Sequence, residues 1–199
     1  TDAVNRSAVH MGDNSFQSLK NHFLIALPSL SDGIFAHSIT FLCEHDEHGA
    51  MGIIINRPLD MQIDEILEQL DFDEPIYRNT APVYAGGPVH TDRGFVLHLR
   101  GHQDWDASIP VSDGIALTTS LDILDAIARR GGPEHALVAL GYAGWDAGQL
   151  EEELQENTWL TVPADYNVIF SVPPEQRVDA ALATLGISFA QLGSDTGHA

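Results

Sequence analysis

Apolar residues in this chain come in short runs, and the spacing within each run predicts an element. Residues 22–27 (HFLIAL) predict a strand stopped by Pro28, and residues 38–44 a second, with Ile39, Phe41 and Cys43 on one face. Asp46-Glu47-His48-Gly49 reads as a turn and residues 50–56 (AMGIIIN) as the return strand of a hairpin. Pro58 holds Arg57 extended and ends that strand. Ile63, Ile66, Leu67 and Leu70 then recur at helical spacing, predicting a helix over 60–70 and a loop over 71–80. Residues 82–85 predict a short strand, broken by Gly86-Gly87-Pro88. Residues 94–100 predict another, with Phe95, Leu97 and Leu99 on one face and His98 on the other. A polar loop over 101–110 and a short strand over 115–118 follow. Thr119 with Asp122 resembles a capping box, opening a helix whose face is Leu121, Leu124, Ile127 and Ala128. Gly131-Gly132-Pro133 stops it.

Residues 136–140 predict a buried strand, 141–147 a glycine-rich turn, and 149–156 a helix with Leu150 and Leu154 facing in. Two more strands are expected over 159–162 and 167–172. Pro174 opens a last long helix, with Val178, Ala181, Leu182 and Leu185 inward and Gly186 at its end. Residues 187–199 form a small, polar tail. Hairpins mixed with about four single helices predict an α+β fold on a mixed, largely antiparallel sheet. No repeat or linker divides the chain, so residues 19–199 are expected to be one domain. Residues 1–18 are expected to be an extension or tag with a disordered start, Met11 reading as a natural beginning.

Charge changes the picture more than length does. Nine Lys and Arg stand against 29 Asp and Glu, for a net charge of −20, and Lys20 is the sole lysine. Nucleic-acid affinity rests on neutralising phosphates, so direct nucleic-acid binding is not expected. Anionic membranes are disfavoured in the same way, and no apolar run approaches the ~20 residues of a membrane span. The single cysteine, Cys43, permits no internal disulfide and reads as a small core residue, which fits a cytoplasmic protein.

Three places carry candidate chemistry. The first is the strand, glycine turn and helix at Gly141-Tyr142-Ala143-Gly144-Trp145, ending at Gln149; free N–H groups at a helix start suit an anion. It lacks the Lys-Ser/Thr of a phosphate loop, and a tight turn with Trp145 in the core explains it equally well. The second is Asn56-Arg57-Pro58 where an apolar strand leaves the core; Arg57 can hold a carboxylate or phosphate, or pair with one of the protein's own acids. The third is Gly86-Gly87-Pro88 followed by Arg93 and His98, His98 being either a ligand or acid–base group or a histidine satisfied by its neighbours. Asp113, in the Ser112-Asp113-Gly114 turn, can face a ligand, although the turn explains itself. His45 and His48 flank acids but sit in a predicted hairpin turn, where their rings need not converge. No metal motif, nucleophile elbow or cofactor fingerprint is present, so neither metal nor cofactor is expected.

At these same segments the chain resembles the AlgH/YqgE family of bacterial proteins. The likeness runs from about Leu19 to Ala199. It is carried by His22-Phe23-Leu24-Ile25-Ala26, Glu44-His45, Gly49-Ala50-Met51-Gly52 through Asn56-Arg57-Pro58, and Gly86-Gly87-Pro88-Val89. Further along it is carried by Gly94-Phe95-Val96-Leu97-His98, Gly141-Tyr142-Ala143-Gly144-Trp145, Gly148-Gln149-Leu150-Glu151, Asn157-x-Trp159-Leu160, Pro163-Ala164-Asp165 and the final Gly197-His198-Ala199. The resemblance implies a sheet bending into a small barrel with helices around it, a cytosolic location, and a transcriptional-regulator label tied to alginate production in pseudomonads. It supplies no agreed catalytic residues.

The favoured reading is a non-enzymatic regulatory or small-anion-binding protein, acting on transcription indirectly if at all, with a small anionic ligand or a protein as partner. In that reading Asn56, Arg57, the Gly86-Gly87-Pro88 turn, His98 and the Gly144/Trp145/Gln149 segment line one pocket, since all fall at strand ends or turns. The alternatives are a hydrolase acting through His98 with an acid, and a direct DNA-binding regulator, which the charge opposes.

Overall fold

The computed structural model describes residues 16–28, 33, 35–70 and 78–196, with side chains to residue 192. The expected extension up to residue 15, residues 71–77 of the expected loop and the final Gly197-His198-Ala199 lie outside the described residues. Strands β1 (His22–Ala26), β2 (Ile39–Asp46) and β3 (Gly49–Ile54) form where apolar runs predict them, and Asp46 pairs with Gly49 at the hairpin turn. After Arg57 the chain does not enter a helix at residue 60. It makes a further strand, β4 (Pro58–Gln62), and α1 (Ile63–Gln69) begins only where Glu65 turns back to accept the Gln62 N–H at 2.6 Å. Pro58 is tolerated because β4 is marginal, pairing only with β5 (Pro82–Ala85).

Strand β6 (Val89–Leu99) starts five residues before the predicted residue 94, and the expected 101–110 loop contains a short strand, β7 (Ser108–Pro110). Strand β8 (Ile115–Thr118) leads into α2 (Leu121–Ala128), whose N-cap is Ser120 rather than Thr119. The Ser120 hydroxyl donates to Asp122, which also accepts the N–H groups of Asp106 and Ile123 at 2.8 and 2.9 Å. Ile123 is fully buried, while Leu121, expected on the inward face, is 61% exposed.

The largest correction concerns residues 141–147. Residues 141–146 are not a turn but the second half of β9 (Ala136–Asp146), and the turn itself is confined to 147–148, before α3 (Gln149–Gln155). Strand β10 (Trp159–Pro163) is as expected, but the strand predicted over 167–172 is a helix, α4 (Tyr166–Phe170). Its β-branched run is overridden by a cap, the Asp165 carboxylate accepting the Asn167 N–H at 2.9 Å. The long helix expected from Pro174 is a 3-10 turn (Pro174–Gln176) followed by α5 (Arg177–Ala183), and the tail carries α6 (Phe189–Thr196). Six α-helices are therefore described where the spacing predicted about four. Leu185 lies past α5 and is 45% exposed rather than inward.

The strands make one curled, half-barrel sheet in the order β10-β1-β2-β3-β9-β6-β8-β7, with β5 parallel to β9 and the other pairings antiparallel. Alternation sends Phe23, Phe41, Cys43, Leu97 and Leu137 to one face, where Val168, Ile169, Ala181 and Leu182 of α4 and α5 cover them. On the opposite face α1 and α2 cover Val83, Val96 and Val138, and α3 covers Leu24, Leu42 and Ala143. The α3 layer is pinned by one carboxylate: Glu153 Oε1 accepts both the Trp145 and Trp159 indole N–H groups, each at 3.2 Å.

Backbones come closest where β5, β6 and β9 meet. Gly141 is left-handed (φ +78), and a Cβ there would lie 2.4 Å from the Gly87 carbonyl; one on Gly87 would lie 2.1 Å from the Tyr142 backbone. Gly141→Ala combines strain with collision and is expected to lower the unfolding free energy by at least about 2 kcal/mol. Gly148→Ala, equally left-handed (φ +79) but with open space around the new carbon, is expected to cost only about 1 kcal/mol. Urea denaturation of both variants measures the difference.

Candidate functional site

A cleft of about 710 Å3 opens on the α5 face, floored by Phe95, Leu117 and Tyr142. Strand register builds its walls. Asp46, Gly49 and Asp146 lie in one row across β2, β3 and β9, and Glu44, Met51 and Gly144 in the next row on the same face. Tyr142, level with Val89, comes two residues further along β9. The cleft is thus acidic toward the hairpin end, where His48 and the carboxylates of Glu44, Asp46 and Asp146 line it.

Its other end is made by a detour in β6. Val89 pairs with Tyr142, and the next pair is Gly94 with Leu140, so residues 90–93 stand opposite Gly141 alone. The detour needs a left-handed backbone at His90 (φ +47), whose ring centre lies 5.9 Å from that of Tyr142. Arg93 projects from the same bulge, its guanidinium carbon 5.9 Å from the centre of the Phe95 ring. Ion pairs among the described residues involve His45, Arg78 and Arg129; Arg93 has none among them.

The predicted site residues divide between this cleft and other places. Arg93, Gly144 and Trp145 line the cleft. Gln149 lies beside it, but its side chain folds back to accept the Asp146 N–H at 3.0 Å. With Glu151 and Glu152 in its first turn, α3 is a poor anion site. Gly86, Gly87 and Pro88 hold β5, β6 and β9 together: Gly86 donates to the Leu140 carbonyl and accepts from Ile54, both at 2.8 Å. Asn56 spans residues 37–39, donating to the His37 carbonyl at 3.0 Å and accepting the Ile39 N–H at 3.2 Å. It lines a separate cavity of about 320 Å3 with His37, Glu175 and Phe189. Arg57 donates to the Ala36 carbonyl rather than to an acid, and Pro58 begins β4. Asp113 is exposed in its turn. The single pocket expected to gather Asn56, Arg57, His98 and Trp145 is therefore not formed; register carries these residues to separate parts of the sheet.

His98 faces the side of the sheet opposite the cleft and is 2% exposed. The Leu99 carbonyl can only accept, so Nδ1, 3.0 Å away, carries the proton. In the neutral ring Nε2 then accepts the Thr118 hydroxyl at 2.7 Å, and Thr118 is hydrogen-bonded to the Ser108 hydroxyl at 3.0 Å. Both nitrogens are occupied by the fold, beside a cavity of about 290 Å3 that Arg100 and Trp105 also line. His45 is similarly engaged. Its Nδ1 accepts the Leu19 N–H at 2.8 Å and its Nε2 donates to Glu151 at 2.6 Å, which ties residues 18–19 to α3. Among the described residues no three His, Cys, Asp or Glu side chains form a metal-holding group.

Sequence reasoning missed Glu44, Asp46, His48, His90 and Tyr142 as cleft residues. It also missed Arg177, buried with Nε on the Val172 carbonyl at 2.9 Å, another N–H on Ile55, and its guanidinium carbon 5.0 Å from the Tyr84 ring centre. The polar run His90-Thr91-Asp92-Arg93 carries no alternation that marks it as strand, and the partner row on β2 and β3 has no local signature.

Burial holds His98 below the ordinary histidine value, with the Leu99 backbone bond opposing in part. The unfolded chain takes up a proton near pH ~6.5 while the native ring stays neutral, so this residue makes stability fall as pH drops through that region. His98→Gln is expected to destabilise at pH 7 by about 1–3 kcal/mol and to show a shallower loss between pH 7 and 5 than the parent. Urea unfolding at several pH values measures both. Burial, then the Glu44 charge, pushes the Cys43 thiol far above its ordinary value. Cys43 is expected to react with a thiol reagent only as fast as the protein opens, which stopped-flow labelling in rising urea measures.

Comparison with known proteins places this geometry. A family model described as AlgH-like (DUF179) matches residues 23–190. A UPF0301 protein of Thioalkalivibrio sulfidiphilus is 53% identical over 179 residues, covering 90% of this chain and 96% of its own length. A UPF0301 protein of Azoarcus is 50% identical over 190 residues, covering 94% and 100%. The solution structure of AlgH from Pseudomonas aeruginosa matches with a TM-score of 0.76 at 49% identity, covering 93% of this chain and all of that one. The crystal structure of protein DIP2367 from Corynebacterium diphtheriae shares the fold, with a TM-score of 0.65 at 18% identity over 82% of this chain and 87% of that one. The chain belongs to the AlgH-like family, whose function is uncharacterised.

Proposed function

We propose that this protein is a non-enzymatic small-ligand-binding module whose ligand is a monocarboxylate seated in the cleft against Arg93. One observation carries the reading. In a chain with 29 acids and 9 Lys and Arg, Arg93 stands on a strained bulge at a cleft and meets no carboxylate among the described residues. A guanidinium presents a planar fork that matches a carboxylate through two hydrogen bonds. Glu44, Asp46 and Asp146 line the same cleft and repel a second negative charge, which narrows the expected anion to one bearing a single charge. Doubly charged phosphates are disfavoured by the same repulsion.

A regulatory role in the cytoplasm then runs through a protein partner that reads the occupied cleft. Direct contact with DNA is opposed by the net charge of −20. A hydrolase is the weaker reading, because both His98 nitrogens are engaged and the Cys43 thiol is buried. Titration calorimetry with a panel of short monocarboxylates, inorganic phosphate and a duplex DNA fragment at low salt tests the proposal. The monocarboxylates are expected to bind, with Arg93→Gln lowering affinity at least about tenfold, and phosphate and DNA to give no heat. Absence of carboxylate binding by the unaltered protein, or binding indifferent to Arg93→Gln, overturns it.

A further inference from the structure

We infer that the ligand is amphiphilic: its carboxylate meets Arg93 in the cleft and its hydrocarbon tail passes around the end of the sheet into a groove between α1 and α2. The inference rests on the reading of Arg93 as the carboxylate anchor and adds the chemical class of what is attached to it.

The groove has a volume of about 510 Å3 and lies on the face of the sheet opposite the cleft. Val96 and Val138 form its floor, and Met61, Ile66, Leu124 and Leu140 stand in its walls. The apolar part of this lining offers a hydrocarbon chain dispersion contacts and release from water, and the polar residues Asp92, Arg93, Thr118, Thr119 and Ser120 gather where the groove meets β6 and β8. Arg93 and Thr119 line both this groove and the cleft. Pairing explains why two cavities on opposite faces meet. The β6–β8 ladder ends at Val96 and Thr118, and beyond that pair the two strands part, leaving Arg93 on one side and Thr119 on the other.

Charge complementarity chooses this occupant over a helix or a second copy of the chain. The groove runs from apolar walls along α1 and α2 to Asp92 and Arg93 on β6, and of these two Arg93, which has no ion-pair partner among the described residues, is the group that can hold a carboxylate. A single-tailed monocarboxylate has that polarity. Gly94 sits at the junction, and a Cβ added there would meet no atom within 4 Å. A larger side chain at that position therefore enters the groove without displacing protein.

The test is a chain-length series of straight-chain monocarboxylates from two to ten carbons, each below its micelle-forming concentration, with decanol as the uncharged control. Affinity is expected to rise about two- to fourfold per methylene until the groove is full, and decanol to bind at least about tenfold more weakly than the ten-carbon carboxylate. Gly94→Leu is expected to abolish the dependence on chain length while leaving the short carboxylates bound as before. If Gly94→Leu does not fold, Leu121→Trp serves, because Leu121 lines the groove yet is 61% exposed and a larger ring there disturbs no core. Affinity independent of chain length, or chain-length dependence untouched by the blocking variant, overturns this inference while Arg93-dependent binding of short carboxylates stands. Failure of every carboxylate to bind removes both readings.

Discussion

Three backbones crowd together at Gly86, Gly87 and Gly141, and the rest of the molecule is arranged around that contact. Strand β9 is hydrogen-bonded along both edges, to β3 and β5 on one side and β6 on the other. It runs uninterrupted from Ala136 to Asp146 only because Gly141 takes a left-handed conformation in its middle. On one face, Val138 before Gly141 packs under α1 and α2, and Ala143 and Trp145 after it pack under α3. Opposite Gly141 strand β6 carries four residues, 90–93, and Thr91 lies so close that a Cβ on Gly141 would come within 3.3 Å of its Cα. The bulge that presents His90 and Arg93 thus lies where the central strands approach closely and is not an independent loop.

A second constraint follows from scarcity of positive charge. The arginines at least partly buried in the fold are tied to carbonyl groups rather than to acids: Arg57 to Ala36, and Arg177 to Val172 and Ile55 over the Tyr84 ring. A guanidinium fixes a loop through several hydrogen bonds, and burying it against carbonyls avoids bringing a second desolvated charge into the core. Acids work in the complementary way, with Glu153 joining two indoles and Asp122 gathering three donors. These charged side chains hold neutral groups in place. Arg93, resting on a ring and projecting at a cavity, departs from that pattern.

How much of this was legible in the sequence depends on whether the signal was local. The β2–β3 hairpin was plain because an apolar alternation, a polar turn and a second apolar run lie consecutively. Strand β4 was not, since its residues are mostly exposed and only pairing with β5 makes them a strand. The run Asn167-Val168-Ile169-Phe170 has strand-like composition, and a single cap at Asp165 makes it helical. Glycines at 141, 144 and 148 suggested a turn, whereas only Gly141 and Gly148 have left-handed backbones and Gly144 is an ordinary strand residue. For the candidate site, Arg93, Gly144 and Trp145 were identifiable because motif and strand end coincide. Glu44, Asp46 and Tyr142 join them through register across three strands, which no spacing along the chain encodes.

In the proposed reading the two cavities give the fold a way to report occupancy. The cleft is walled by the β2–β3 hairpin, itself part of the sheet, and the groove by α1 and α2, which pack on the sheet's opposite face. A ligand confined to the cleft acts on one layer. A ligand that turns the sheet end at Arg93 and Thr119 contacts both, so its binding energy is divided between the hairpin and the helix pair. Any change in how those layers sit then shifts with occupancy, by no more than the difference in affinity between the arrangements. In the proposed reading Arg93 and the apolar walls between the helices select the two ends of the ligand separately, and specificity arises from requiring both ends in one molecule rather than from tight contact at either.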